Sequence, residues 1–181
     1  MNVFYLSRDA VECAQWHNDK HVVKMMIEYA QLLSTAHRVL DGTEYTDLSA
    51  NGRKIKRYRL AENDDIIYKA SHINHPSAVW ARQSDSNYNW LYFMWASLSA
   101  EYTYRYGKIH ACWEKLGALL ATVPTNIQTA DFTPPPPAMK QYPQCIVEND
   151  SIQSYRNYYR EAKAHFCKWT SRPTPHWFAI A

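Results

Sequence analysis

Glycine is scarce in this chain of 181 residues: there are 4, too few for Gly-rich phosphate loops or for a fold made of many tight hairpins. Cysteine is equally sparse. Cys13, Cys112, Cys145 and Cys167 show no C-x-x-C spacing and are too scattered for a disulfide framework, so a reduced, cytoplasmic protein is expected. No apolar run approaches the roughly 20 residues that span a bilayer. The opening Met1-Asn2-Val3-Phe4-Tyr5-Leu6 lacks the basic stretch and long apolar core of a secretory signal. No membrane partner is therefore expected. The net charge of +3 permits a nucleic-acid partner without demanding one, which leaves local clustering to decide. Aromatic residues are what the chain has in excess, with 14 Tyr and 7 Trp. Its 46% hydrophobic and 20% charged residues are ordinary for a globular protein, and the length suits one domain, 1–181, with a proper core.

Periodicity predicts a mainly α fold: a compact helical domain with a small β-hairpin or loop insertion and a Pro-rich wrapping segment. Residues 3–6 read as extended. Asp9 and Glu12 form a capping-box signal for a short helix over 9–16, and Asn18 or Asp19 caps a long one that Asp41-Gly42 ends. Ala50-Asn51-Gly52 predicts a type I′ turn between Tyr45–Leu48 and the basic arm Arg53–Arg59. Pro76 opens a helix. Another, capped by Asp85 or Ser86, runs to Gly107 on the repeat Tyr88, Leu91, Tyr92, Trp95, Leu98, Tyr102. A helix over 109–122 and a last one over 150–169 follow, separated by the aperiodic, Pro-rich stretch 123–149. Such a stretch in a compact domain tends to be functional or a wrapping arm. The aromatic tail 173–178 should fold back on the domain.

The long helix carries the chemistry. Val22, Met25, Met26, Tyr29, Leu32 and Leu33 share a face, and Val23, Ile27 and Ala30 widen the apolar arc beyond half the circumference. The helix should be largely enclosed. Its narrow polar stripe of His17, Lys20, His21, Lys24, Glu28 and Gln31 should face a small window of solvent or line a cleft. Two imidazoles, two ammonium groups and a carboxylate suit acid–base work or anion binding. His17 and His21 stand at i and i+4, but a zinc hydrolase motif would place Glu where Asn18 stands, and Lys20 and Lys24 would repel a cation. No metal and no cofactor are expected. Lys24 and Glu28 at i, i+4 also suit a plain surface pair. His75 before Pro76 reads as a helix cap. The cluster Arg53, Lys54, Lys56, Arg57 and a basic face of Arg156, Arg160 and Lys163 suit phosphates.

The segment Asn18–Leu33 resembles the pyrimidine-dimer DNA glycosylase (phage endonuclease V) superfamily through Lys20, His21, Lys24, Ile27, Glu28, Gln31, Leu32 and Leu33. Asn74-His75-Pro76 with Trp80, and Glu101, Arg105, Tyr106 and Gly107, match further elements, and Asp19, His21 and Glu28 reproduce a family spacing. The likeness covers roughly 17–107, and the chain is also similar to small proteins of tailed phages. It implies a mostly helical fold, with Glu28 at the catalytic carboxylate position. It also implies a nucleophilic α-amine that attacks C1′ of a nucleotide and passes through an imine to β-elimination. Asn2 is bulky, so Met1 should be retained and would offer that amine. The start is also several residues longer than the family pattern. Lys20 or Lys24 would substitute only if burial and neighbouring cations made it less basic.

The reading is a DNA- or nucleotide-acting N-glycosylase-like enzyme, with Glu28, His21 and Lys24 catalytic. Lys20, Gln31, His75 and the Arg53–Arg57 cluster would bind substrate. The alternative is a non-catalytic nucleic-acid or nucleotide-binding protein.

Overall fold

Val3, Phe4, Tyr5 and Leu6 are all buried, although they belong to no sheet. An extended segment inside a core must satisfy its backbone polar groups without a partner strand. Here side chains do so. The N–H of Phe4 donates to the Tyr29 hydroxyl at 3.2 Å, and the N–H of Leu6 meets Cys13 Sγ at 3.4 Å. The Phe4 ring lies on the His21 ring with centroids 4.1 Å apart.

The computed structural model describes residues 1–178, in which six α-helices surround a single cluster of buried side chains. Helix α1 (Ala10–Trp16) is capped by Asp9, and α2 (Asp19–Asp41) by Asn18, whose side chain accepts from the N–H of His21. Strands β1 (Thr43–Leu48) and β2 (Lys54–Arg59) pair antiparallel, with Tyr45 opposite Arg57. Helix α3 (Pro76–Ala81) and α4 (Asp85–Tyr106) lead to a short α5 (Ala111–Leu116) and to α6 (Ser151–Tyr158). The mainly α expectation holds.

Several local expectations do not. Val23 and Ile27 are 43% and 44% exposed, so the apolar arc of α2 is narrower than its sequence suggests. In the hairpin turn only Gly52 has positive φ, +74°, so the turn is a loop closed by a left-handed Gly rather than type I′, which needs two such residues. The basic charges of β2 lie along one continuous strand and alternate between its faces. Ser84, not Asp85 or Ser86, caps α4. The helix expected over 109–122 shrinks to α5 plus a 3₁₀ turn, Leu119–Ala121. The last helix leaves α geometry after Tyr158, passing through a π turn (Tyr159–Lys163) and a 3₁₀ turn (Ala164–Phe166). The fully buried Tyr159, bonded to His21 at 2.6 Å, sits at that change.

Two buried guanidinium groups tie α2 at its ends. All five Arg38 N–H groups have an acceptor between Tyr58 and Tyr68, four of the five contacts being to backbone carbonyls. At the other end Arg105 joins Glu101 at 2.7 Å and Asp19 at 2.9 Å, and donates to the carbonyls of Gln15 and His17. Arg172 closes this network on Glu101 at 2.8 Å, holding the aromatic tail, where Trp177 is buried.

The Pro-rich stretch is a wrapping arm stapled by side chains. Asp41 receives the N–H groups of Thr125 and Asn126, and Asn87 binds Thr133 through both backbone and hydroxyl. Tyr155 donates to the carbonyl of Pro136 and accepts from Ala138. The arm so crosses from the C-terminal end of α2 to α6.

The Tyr29 hydroxyl is the group that accepts from the N–H of Phe4. Tyr29→Phe leaves a buried N–H and a buried imidazole nitrogen unpaired, and should cost about 2–4 kcal/mol in urea unfolding. The Phe4 amide should lose most of its protection in hydrogen exchange. An unchanged midpoint would mean that the segment is anchored elsewhere.

Candidate active site

The expected polar stripe splits, and His17 leaves it: with extended backbone it caps the C-terminal end of α1 and is not on one helix with His21. On α2 Lys20 and Lys24 are exposed, whereas His21, like His17, is buried. His17 Nδ1 lies 2.7 Å from the carbonyl oxygen of Cys13, which can only accept, so that nitrogen carries the proton. Its Nε2 then accepts from the Tyr29 hydroxyl at 2.7 Å. With both ring nitrogens used, His17 has none left for a metal. Among the described residues no group of three or more His, Cys, Asp or Glu is placed to hold one.

His21 Nδ1 takes the buried Tyr159 hydroxyl as its partner. Burial first, then the charges near it, including Lys163 and Lys24, hold its imidazole neutral. Tyr159 O–H has no other acceptor among the described residues, so it donates to Nδ1, and His21 carries its own proton on Nε2. A role as a phosphate-holding cation does not fit that state. A neutral N–H donor does.

Next to these lies a cleft of about 620 Å³. Its floor is Met1, Phe4, His21, Met25 and Glu28, with Lys24 and His75 at the rim. The arm supplies the opposite side through Pro136–Tyr142, together with Tyr158 and Lys163. Glu28 sits centrally. Its Oε2 is 3.6 Å from the α-amino nitrogen of Met1, and its Oε1 is 3.2 Å from Lys24 Nζ. The two residues differ sharply in setting: the Met1 side chain is 7% exposed and that of Lys24 68%. His75 caps α3, its Nδ1 accepting from the N–H of Ser77, while burial and then the Met1 amine shift it away from protonation.

Four of the expected site residues, His21, Lys24, Glu28 and His75, therefore meet in one cleft. Lys20 does not line it; its Nζ sits 4.6 Å over the Phe166 ring. Gln31 lies a turn beyond Glu28, also outside the lining. Arg53, Lys54, Lys56 and Arg57 are on the hairpin past the far end of α2, roughly 20 Å along the helix from Glu28 at 1.5 Å per residue. There Lys56 pairs with Glu44 at 3.0 Å and Arg57 approaches Asp47 at 3.8 Å. Of the C-terminal basic face, Arg156 is structural, donating to the carbonyl of Leu6 and stacking on Trp16, and only Lys163 reaches the cleft. Asp19, Glu101 and Arg105, which carry part of the family resemblance, form the buried ion network and not the cleft.

Sequence reasoning missed Lys140, Tyr142 and Tyr158 as cleft residues. The contrast between a Pro-rich arm and an aromatic helix after it was the available signal, but no local pattern says which arm residues face inward. Comparison with protein-family models, with curated proteins and with solved structures finds no match.

The buried imidazoles set a pH dependence. In the folded protein His17 titrates at about 4 and His21 lower still, against 6.5 for an unperturbed histidine. Between those values the unfolded chain takes up protons that the native state refuses. Stability is thus complete above pH 6.5 and falls as pH drops, by up to about 2.7 kcal/mol per unit for two such groups. Urea unfolding at pH 7, 6 and 5 reads this, and His17→Gln should lower the slope by about one proton. A flat profile would mean that the imidazoles charge in place.

Proposed function

We propose that the protein is a DNA- or nucleotide-acting N-glycosylase-like enzyme. The observation that carries this reading is the meeting of the Met1 α-amine with the Glu28 carboxylate on the floor of a cleft. An α-amine is the more available nucleophile as a class, since its pKa is about 8 against about 10.4 for a lysine side chain. The motif likeness of Asn18–Leu33 supports the same assignment, because it places the catalytic carboxylate at Glu28.

The chemistry follows from the pair. The neutral amine attacks C1′ of the nucleotide, and the C1′–base bond breaks with its electron pair leaving on the base. Glu28 accepts the proton lost by the amine and returns it to the ring oxygen as the sugar opens to the imine. Loss of a C2′ proton then expels the 3′ phosphate. Lys24, on the second oxygen of Glu28, orients the carboxylate. His21 offers an N–H to a base or phosphate oxygen. A cleft of about 620 Å³ lies within the range of ~300–1,000 Å³ for small-molecule sites, so a duplex substrate would enter as an extruded nucleotide. On a polymer, Arg53 and Lys54 of the hairpin would contact backbone phosphates away from the cleft.

A second reading, a non-catalytic nucleic-acid or nucleotide-binding protein, draws on the excess of cations around the cleft. Glu28→Gln separates the two. Base release should fall about 10²–10⁴-fold while DNA binding persists. Borohydride reduction on oligonucleotides with abasic or damaged sites should trap an adduct that peptide mass spectrometry maps to Met1, and intact mass should find Met1 as the first residue. Base release by Glu28→Gln at the wild-type rate would sink the enzymatic reading.

A further inference from the structure

The cleft carries more positive charge than its floor uses. Glu28 is already shared between the Met1 amine and Lys24. Two further lysines line the cleft, Lys140 on the arm and Lys163 at the end of the π turn. Among the described residues, neither is within ion-pair distance of a carboxylate. Uncompensated ammonium groups that line one concave, partly apolar site concentrate field and favour an anion.

Both are also placed. Lys163 Nζ sits 4.8 Å from the centroid of the Tyr158 ring and 5.9 Å from that of Phe166, so its ammonium is steadied by aromatic faces. Its position depends on the π turn, since such an insertion shifts the phase of every following residue and is frequent at functional sites. Lys140 follows the buried Met139 in a turn closed by the N–H of Tyr142 on the Met139 carbonyl at 2.8 Å. The Tyr142 ring packs on Tyr158 at 5.2 Å, which joins the turn that carries Lys140 to the ring on which Lys163 sits. Lys163 is close enough to His21 for its charge to oppose protonation of that imidazole, linking this side of the cleft to the floor.

We propose that Lys140 and Lys163 form a phosphate-binding subsite, one that takes the phosphate of a nucleotide whose sugar faces Met1 and Glu28. The phosphate assignment rests on the two lysines; only the orientation of the sugar rests on the enzymatic reading above. A phosphate monoester of a free nucleotide and a phosphodiester of a single strand share this chemistry.

Calorimetric titration of the full chain with a deoxynucleoside, its 5′-monophosphate and a short single-stranded oligonucleotide tests it. The phosphate should raise affinity at least about tenfold over the nucleoside, the scale of one charge-assisted contact. Lys140→Ala and Lys163→Gln should each weaken phosphate-bearing ligands several-fold, and the double variant should bind them no better than the nucleoside. A lysine-dependent gain for the monophosphate assigns the monoester, and a gain confined to the oligonucleotide assigns the diester. Lys140 is exposed and makes no hydrogen bond or ion pair within the described residues, so its variant keeps the test open if Lys163→Gln unfolds. Equal affinity for nucleoside and phosphorylated ligands, or a preference that survives in the double variant, overturns the proposal. Glu28→Gln should retain the preference, so loss of catalysis and loss of the subsite are read apart.

Discussion

The hydroxyl of Tyr29 holds the arrangement together. It accepts from the N–H of Phe4 and donates to His17, which in turn donates to the carbonyl of Cys13. Three segments, the extended start of the chain, α1 and α2, are joined by this one chain of hydrogen bonds inside the core. Each link has a fixed direction, because a backbone carbonyl at one end can only accept and a backbone N–H at the other can only donate. The consequence reaches the surface. With Phe4 fixed against Tyr29 and stacked on His21, the first residue has little choice of position, and its amine comes to rest beside Glu28.

Fold and burial divide into structural and chemical parts what the sequence presents as one stripe of a long helix, with His17 outside α2 altogether. His17 lies at 0% exposure and is spent on architecture. His21 is bonded to Tyr159 on one side and borders the cleft with the other. Glu28, two turns on, is the residue whose partners are both amines. The same division separates the motifs of the family resemblance. Asp19, Glu101 and Arg105 tie α1 and α2 to α4, while Glu28 and His75 meet in the cleft.

Much of this was legible in the sequence because it is local. Caps at Asp9 and Asn18, the aromatic repeat of α4 and its end at Gly107 follow from neighbours in the chain. What was not legible is tertiary. The exposure of Val23 and Ile27 depends on which elements fail to cover them. The π turn accompanies the seating of Tyr159 on His21, 138 residues away in sequence. The basic arm Arg53–Arg57 looked like part of the site because charge is visible in sequence and distance is not. The Pro-rich arm was recognisable as a wrapping segment, but its path follows from side-chain bonds to Asp41, Asn87 and Tyr155 that no periodicity encodes.

The central claim is that the fold delivers an α-amine to Glu28, and lengthening the chain by one residue before Met1 tests it most directly. The added residue moves the terminal nitrogen about 3.5 Å along the chain without touching any side chain of the core. The account predicts an unchanged unfolding midpoint together with loss of the borohydride-trapped adduct on abasic-site DNA. An adduct formed at the wild-type rate and mapped to a lysine would contradict it.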